Sequence, residues 1–581
     1  MRIGLIILSI LCSTFTPALS QKVEVREATL SNGMKLLLVE RHEAPTIACG
    51  WVARVGSVNE RPGITGISHL FEHMMFKGTH AIGIKDFEKG MEIQKRQDEV
   101  RGQMEEEYSA LREKLRLGEI SGNIYDPDNQ TPRLKELKAE LEKLYAEEKE
   151  VIIKDEMDQI YTREGASMLN AFTSEDQTVY IVNIPSNKLE LWFWMESDRL
   201  INPVFREFYS ERDVVREERR MRVESTPTGK LNETFNAMFW QSAPYSWPVI
   251  GWASDVESIT RQQAEEYFDI YYAPNNLTAV LVGDFDPDQA LELAEKYFSR
   301  IPRGPEPPPE MITFETEQEG EKRLVGEAET NPTVILRYHS PPFAHHDTYA
   351  LDLLSDALSG RTGRLYKSLV EEQGLAVGEP AAYISINKYG GYFQLVAQVK
   401  EGKTPEEVEA ALLAELEKVK AAPLEPRELQ KIKNQAMANS FRRLQSNFYL
   451  LIQLLIYDSN WHWSYINEAP QKTQAVTAEQ IQQVSQRYLT KQNQNVAWYL
   501  RKEGTVPEDP VLAALPPQVK AMVKQQLEQI NSIEDPSQLE QALAQSQQML
   551  SQVPQQMKPA VEYMITKIQE RLDALQEKGG N

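Results

Sequence analysis

The apolar positions of this chain fall into short runs that can be assigned one at a time. Leu30 to Glu40 opens with the turn pair Asn32-Gly33 and continues Met34-Lys35-Leu36-Leu37-Leu38-Val39, which predicts a β-hairpin. Thr46 to Val55 predicts another strand. The apolar run after it predicts one short helix. Gly63 and Thr65 supply start signals, Lys77 sits in its last turn, and Gly78 suits a left-handed position just past the end.

The pattern then repeats. Ser258-Ile259-Thr260 opens a helix reaching Tyr271-Tyr272, followed by Asn275-Asn276 and a strand from Thr278 to Val282. Ala475-Val476-Thr477 opens a helix reaching Tyr488-Leu489, followed by Asn493 and a strand from Asn495 to Leu500. Thr260 matches Thr477, Gln263 matches Gln480, Tyr271 matches Tyr488 and Asn276 matches Asn493, all at one constant separation. The helix Leu351 to Ser359, ending at Gly360, matches the short helix ending at Gly78. Its separation is larger, so the first copy carries about 65 extra residues.

Those extra residues lie between about Lys85 and Ile160, where Glu, Lys, Arg, Gln and Leu dominate. Helical segments near Phe87–Arg116 and Thr131–Tyr161 flank the breaker stretch Gly118 to Gln130. They predict a helical hairpin with a solvated outer face, read either as a passive appendage or as a docking or gating element. Val506 to Gln518 is a proline-bearing linker. Val519 to Lys578 predicts about three amphipathic helices, broken near Pro536 and Pro554, packed on the body or on a partner.

Composition narrows the setting. At 581 residues the chain exceeds a single core, and its formal net charge of −23 argues against nucleic acid and anionic membrane surfaces. Residues 1–20 have the form of a secretory signal: Arg2, then Ile3 to Leu11, then Ala18-Leu19-Ser20. An uncleaved anchor is the competing reading, and no later segment reaches membrane-span length. Loss of the signal removes Cys12 and leaves Cys49 alone, so no internal disulfide forms. The mature chain then has no integral membrane span and fits a periplasmic enzyme.

The chemistry concentrates in His69-Leu70-Phe71-Glu72-His73, an HxxEH segment on the short helix. Positions i and i+4 share a helix face and i+3 lies beside them. Both imidazoles can therefore reach one metal ion, with Glu72 next to an open coordination position, as zinc hydrolases require. The alternative is two surface or core histidines on an ordinary amphipathic helix. In the repeat, His69, Glu72 and His73 correspond to Leu351, Leu354 and Ser355, which provide neither a histidine ligand nor a general base. A third ligand is needed. The helix containing Glu211, Val215 and Glu218 on one face offers it, with Glu218 as ligand and Glu211 behind a histidine; a charged helix solvated on both sides is the competing reading.

These stretches together resemble the pitrilysin family of inverzincins, which includes the insulin-degrading and mitochondrial processing peptidases. Also similar are Asn170-Ala171-Phe172-Thr173, Pro248-Val249-Ile250-Gly251, Tyr272-Ala273-Pro274-Asn275-Asn276 and Val282-Gly283-Asp284. The likeness runs from about Val25 to Lys502, apart from the helical insertion. It implies His69, His73 and Glu218 as ligands of one Zn²⁺, Glu72 as general base, and Glu211 as the carboxylate behind a ligand. Asn170 and Ala171 would lie on a strand edge that pairs with substrate backbone.

The implied fold is α+β: two duplicated domains of mostly antiparallel sheet packed with helices, facing each other around a closed chamber. The expected regions are 1–20 signal, 21–310 zinc-binding peptidase domain with the insertion, 311–504 metal-free repeat, and 505–581 linker and helical extension. The implied activity is zinc-dependent endopeptidase action on short or unfolded peptides. Two departures stand out. The interval from His73 to Glu218 is unusually long, which the insertion explains. The positions where the family carries a carbonyl-binding Arg and Tyr align with Val370 and Val377, with Arg361 and Tyr366 nearby as weaker substitutes. A homologous metal-free partner subunit, in a heterodimer, would supply the missing donors; a homodimer is the other assembly expected. The competing function is a weakly active or non-catalytic peptide-binding subunit.

Overall fold

The computed structural model describes residues 22–304, 307–503, 509–513, 515, 517–533, 535–550, 553 and 557–579. The expected export signal and much of the expected linker after Lys502 lie outside the described residues.

The fold is α+β and built around two sheets. The first holds β1 (Arg26–Thr29), β2 (Lys35–Glu40), β3 (Thr46–Ala53), β4 (Ser167–Thr173), β5 (Thr178–Pro185) and β6 (Leu277–Gly283). The second holds β7 (Lys322–Ala328), β8 (Thr333–Ser340), β9 (Ala376–Ile386), β10 (Gly391–Val399) and β11 (Gln494–Arg501). Their orders are β1-β2-β6-β3-β5-β4 and β7-β11-β8-β10-β9. Without β1 the two sheets are the same. In each, one pair is parallel, β2 with β6 and β7 with β11, and the other pairs are antiparallel.

The matching residues found in sequence do matching work. Thr260 with Gln263, and Thr477 with Gln480, form reciprocal capping boxes on the helices Arg261–Tyr271 and Ala478–Tyr488. The amides of Asn276 and Asn493 each donate to a tyrosine carbonyl, that of Tyr271 or Tyr488, at 2.8 Å. Each asparagine thus ties its strand back to the helix before it.

The strands are apolar on both faces because both faces are covered. One face of the first sheet, with Leu36, Leu38, Cys49 and Trp51, packs on helices of its own half. The other face, with Leu37, Val39, Ala48, Val52, Val280 and Val282, packs on Leu450, Leu451, Leu454 and Leu455. Those leucines belong to helix Asn447–Asn460, which arrives from the second half. The exchange is reciprocal: Leu231, Phe235 and Met238 of helix Gly229–Phe239 pack on Leu324, Ile335, Val396, Ala497 and Tyr499. A buried charge pins the first exchange. Asp458 accepts from Lys35 at 2.9 Å, from Arg54 at 2.8 Å and from Thr278 at 2.8 Å.

The insertion is a helical hairpin, with its first helix over Phe87–Arg116 as the sequence predicts. The second does not run unbroken to Tyr161; it divides into Pro132–Val151 and Glu156–Arg163. Between them Ile152 makes a bridge to Ile84, and Asp155 adopts φ 53°. Backbone pairing at the root of the hairpin overrides helix propensity there. The C-terminal segment forms helices Pro517–Ser532, Pro536–Leu550 and Lys558–Gly579, after the short turn Pro510–Ala513. They share apolar clusters such as Val523 with Val561 and Met564, and Leu539 with Ile568. Among the described residues, no helix is long and apolar enough to cross a membrane.

Candidate metal centre

The HxxEH residues lie on helix Ile67–Met74. It begins where two glycines meet: Gly66 at φ 89° and Gly251 at φ 78°. A Cβ on Gly66 would stand 2.6 Å from the Ile250 carbonyl, and one on Gly251 would stand 2.2 Å from the Thr65 carbonyl. Only glycine permits that approach in that conformation. Glu60 then accepts from the free N–H groups of Gly66 and Ser68 at 2.8 Å each. Burial pushes the Glu60 carboxyl up to about 8 despite these bonds. The helix anchors through Phe71, whose ring packs on Phe205, Tyr267, Phe268 and Tyr272.

The helix ends at Met74, a turn before Lys77. Phe76 N–H and Lys77 N–H close tighter bonds to the His73 and Met74 carbonyls, and Gly78 turns the chain at φ 98°. The fully buried Arg206 guanidinium fixes that turn by donating to the carbonyls of Lys77, Thr79 and Ile82.

His69 and His73 project from one face toward helix Phe208–Arg219. Nε2 of each lies 3.7 Å from Glu218 Oε2, and the three ligand atoms lie within 4.8 Å of one another. A tetrahedral ion with bonds of about 2.0–2.1 Å separates its ligands by about 3.4 Å, so this set is spaced for one ion. The two histidines differ in their preference for charge. Burial, helped by His73 and Arg222, drives His69 down to about 3, so its ring is neutral. Its Nδ1 is buried without a partner among the described residues. Burial also works against charge on His73, but Glu211, Glu72 and Glu218 hold it above the ordinary histidine range. His73 Nδ1 stands 3.5 Å from Glu211 Oε2. Glu211 also accepts from Lys77 at 2.5 Å; burial raises its carboxyl, and His73 and Lys77 overcome this to leave it lowered. Two neutral-capable nitrogens, one carboxylate and an oriented ring fit a divalent transition metal.

Glu72 lies beside this trio. Burial raises its carboxyl above the ordinary range, while Thr173 Oγ1 donates to Oε2 at 2.6 Å and partly offsets the shift. Thr173 closes β4, the edge strand of the first sheet, which among the described residues pairs with β5 alone. Asn170 on that strand is exposed and Ala171 is buried, in register with Ile181 and Tyr180. The structure thus brings together His69, Glu72, His73, Glu211 and Glu218, with Asn170 and Ala171 on the adjoining edge.

Sequence reasoning gave no role to Thr173, Glu60 or Arg206. Thr173 was within reach, because strand alternation puts it on the same side as Ala171. Glu60 and Arg206 follow no local pattern, since Arg206 serves a turn over a hundred residues away.

In the second half, helix Thr348–Leu358 takes the place of the motif helix. Leu351 and Leu354 are fully buried in its core, and Ser355 donates to the Asp352 carbonyl. Val370 packs half-buried on that core, while Arg361 is mostly exposed beside Glu379. His345, His346 and Asp347 form another compact trio. There Arg487 and Tyr488 donate to Asp347 at 2.7 and 2.8 Å.

Comparison with known proteins gives the family. The profile of insulinase (peptidase family M16) matches residues 35–93 and 141–251, and that of the peptidase M16 inactive domain matches residues 258–436. Together they cover more than half of the chain. The chain belongs to peptidase family M16. The zinc protease PqqE of Helicobacter pylori is 27% identical over 428 residues, covering 72% of this chain and 80% of its own. A solved protease structure from Helicobacter pylori superposes with a TM-score of 0.67 at 23% identity, over 82% of this chain and 100% of that one. The periplasmic protease PqqL of Escherichia coli superposes with a TM-score of 0.61 at 16% identity, over 86% of this chain and 50% of that one. The M16 profile passes over residues 94–140, the body of the helical insertion.

Proposed function

We propose that this chain is a zinc-dependent endopeptidase for short or unfolded polypeptides. The reading is carried by one observation: His69 and His73 each present Nε2 at 3.7 Å from the same Glu218 oxygen, with Glu72 alongside. His69, His73 and Glu218 would hold one Zn²⁺. When bound, zinc supplies Lewis acidity, which acidifies a water molecule and polarises a carbonyl oxygen.

The remaining steps belong to the chain. Glu72 takes the proton of the attacking water and returns it to the leaving amine; a buried carboxylate of raised pKa suits both transfers. Thr173 holds Glu72 Oε2, which leaves Oε1 for the water. Glu211 steadies the His73 ring through Nδ1. The open edge of β4 at Asn170 and Ala171 pairs with substrate backbone, which reads main chain and tolerates varied side chains. Residues 21–310 would form the metal-holding domain and residues 311–504 its metal-free counterpart. The form of residues 1–20, together with the word periplasmic in the name of PqqL, supports export to the periplasm.

Val370 and Val377 offer no side-chain donor for a developing oxyanion. This favours a homologous partner subunit that supplies one, and PqqL, matched over 50% of its length, has room for two such units in one chain. The same valines favour a second reading, a peptide-binding subunit of low activity. Glu72→Gln separates the two. It should retain zinc and lose at least about a thousandfold in turnover of an unstructured peptide, alone or with its partner. Unchanged turnover would remove Glu72 from the mechanism.

A further inference from the structure

The helical insertion meets the body of the protein through buried polar groups. Gln97, Glu148, Tyr209, Arg212 and Arg261 are all nearly inaccessible at this junction. Glu148 Oε2 accepts from Gln97 at 2.8 Å, and its Oε1 accepts from Glu207 N–H at 3.1 Å. Asp98, on the solvent rim of the junction with its side chain 45% exposed, accepts from the Tyr209 hydroxyl at 2.8 Å and from Arg261 at 2.8 Å. Arg261 also donates to Gln97 Oε1 and to the carbonyls of Gln94 and Phe205. The Tyr209 ring lies against three guanidiniums, those of Arg101, Arg212 and Arg261, at 5.2–5.3 Å.

The Glu148–Glu207 and Asp98–Tyr209 hydrogen bonds and the Tyr209 ring contacts meet at the start of helix Phe208–Arg219. Glu207 precedes that helix at φ 56°, a left-handed conformation that a non-glycine residue holds only when its surroundings require it. Its N–H, which the helix leaves free, is the one Glu148 takes. Glu211 lies one turn further on, and Glu218 two turns beyond that. A paired buried network tolerates a single register, because sliding or rotating the helix would strand several buried polar groups together.

We propose that the insertion braces the metal centre. Asp98, through Tyr209, and Glu148, through Glu207, are positioning residues that set the height and rotation of the helix carrying Glu211 and Glu218. Gln97 and Asp98 lie in the stretch that the M16 profile passes over, whereas Glu148, Glu207 and Tyr209 lie in the matched part. The proposal rests on the reading of His69, His73 and Glu218 as metal ligands.

The test measures zinc affinity of the full chain by competition with a fluorescent chelator, alongside thermal unfolding of the zinc-free protein. Asp98→Ala should weaken zinc binding about tenfold or more, the scale on which outer supports of metal ligands act. Asp98→Asn, which keeps an acceptor for Tyr209, should recover most of it. Tyr209→Phe removes only the hydroxyl and stands in where Asp98→Ala does not fold. Glu113→Gln, on the exposed tip of the hairpin, should leave affinity unchanged. Folded Asp98→Ala or Tyr209→Phe protein with wild-type affinity would overturn the brace and leave the metal site intact. A wild-type chain that binds no zinc would overturn the metal site, and the brace with it.

Discussion

Helices Ile67–Met74 and Thr348–Leu358 stand at the same point of two sheets with the same strand order, yet the first carries His69, Glu72 and His73 where the second carries Leu351, Leu354 and Ser355. In the first, the face bearing His69, Glu72 and His73 looks across at Glu211 and Glu218. In the second, Leu351 and Leu354 turn the same face into a closed core. The frame is therefore separable from the chemistry: the duplicated scaffold is kept in both halves, and a handful of side chains decides which one can hold an ion.

That contrast can be attacked directly. Leu354→Glu puts at the matching position of the second half the residue that the first half carries as Glu72. It should cost about 4 kcal/mol or more in urea unfolding, because no partner awaits a carboxylate in that core. A well-folded variant would mean the second half retains room for polar chemistry. Asp458→Ala probes the exchange of helices between halves. It leaves Lys35 and Arg54 without their shared acceptor and should destabilise the chain by about 3 kcal/mol. A near-neutral result would show that the leucine contacts alone hold the halves together.

The smallest effect concerns the hairpin tips where the halves touch. Asp176 of the first half accepts from Tyr245 and from Lys388 N–H of the second half, at 2.8 Å each. Burial pushes its carboxyl up to about 6 from an ordinary 3.8. A folded-state pKa raised in this way contributes stability that is full below about pH 4 and is lost as pH rises through about 6. Unfolding measured at pH 5 and pH 7 should reveal a loss of about 1.3 kcal/mol that Asp176→Asn abolishes. An unchanged slope in the variant would assign the pH dependence elsewhere.

The duplication was legible because its markers are local. Thr260 with Gln263 and Thr477 with Gln480 are capping boxes that sequence spacing alone reveals. The same holds for helix Phe87–Arg116 and for the HxxEH geometry. What stayed hidden depends on contacts between distant segments. The break between Val151 and Glu156 follows from the bridge of Ile152 to Ile84. The exchange of helices Gly229–Phe239 and Asn447–Asn460 is decided by which sheet each covers, and an apolar stripe does not name its partner. The buried junction beneath the insertion was invisible for the same reason. Gln97 and Glu148 look like any solvated polar positions until Glu207 and Arg261 are placed against them.

The central claim is that one metal ion binds in the first half and none at the matching place in the second. Anomalous diffraction at the zinc edge, on crystals of the zinc-loaded full chain, tests it most directly. The account predicts a peak enclosed by His69, His73 and Glu218, with no density beside Leu351 and Leu354. A vacant first site after zinc loading, or a peak at the second helix, would contradict it.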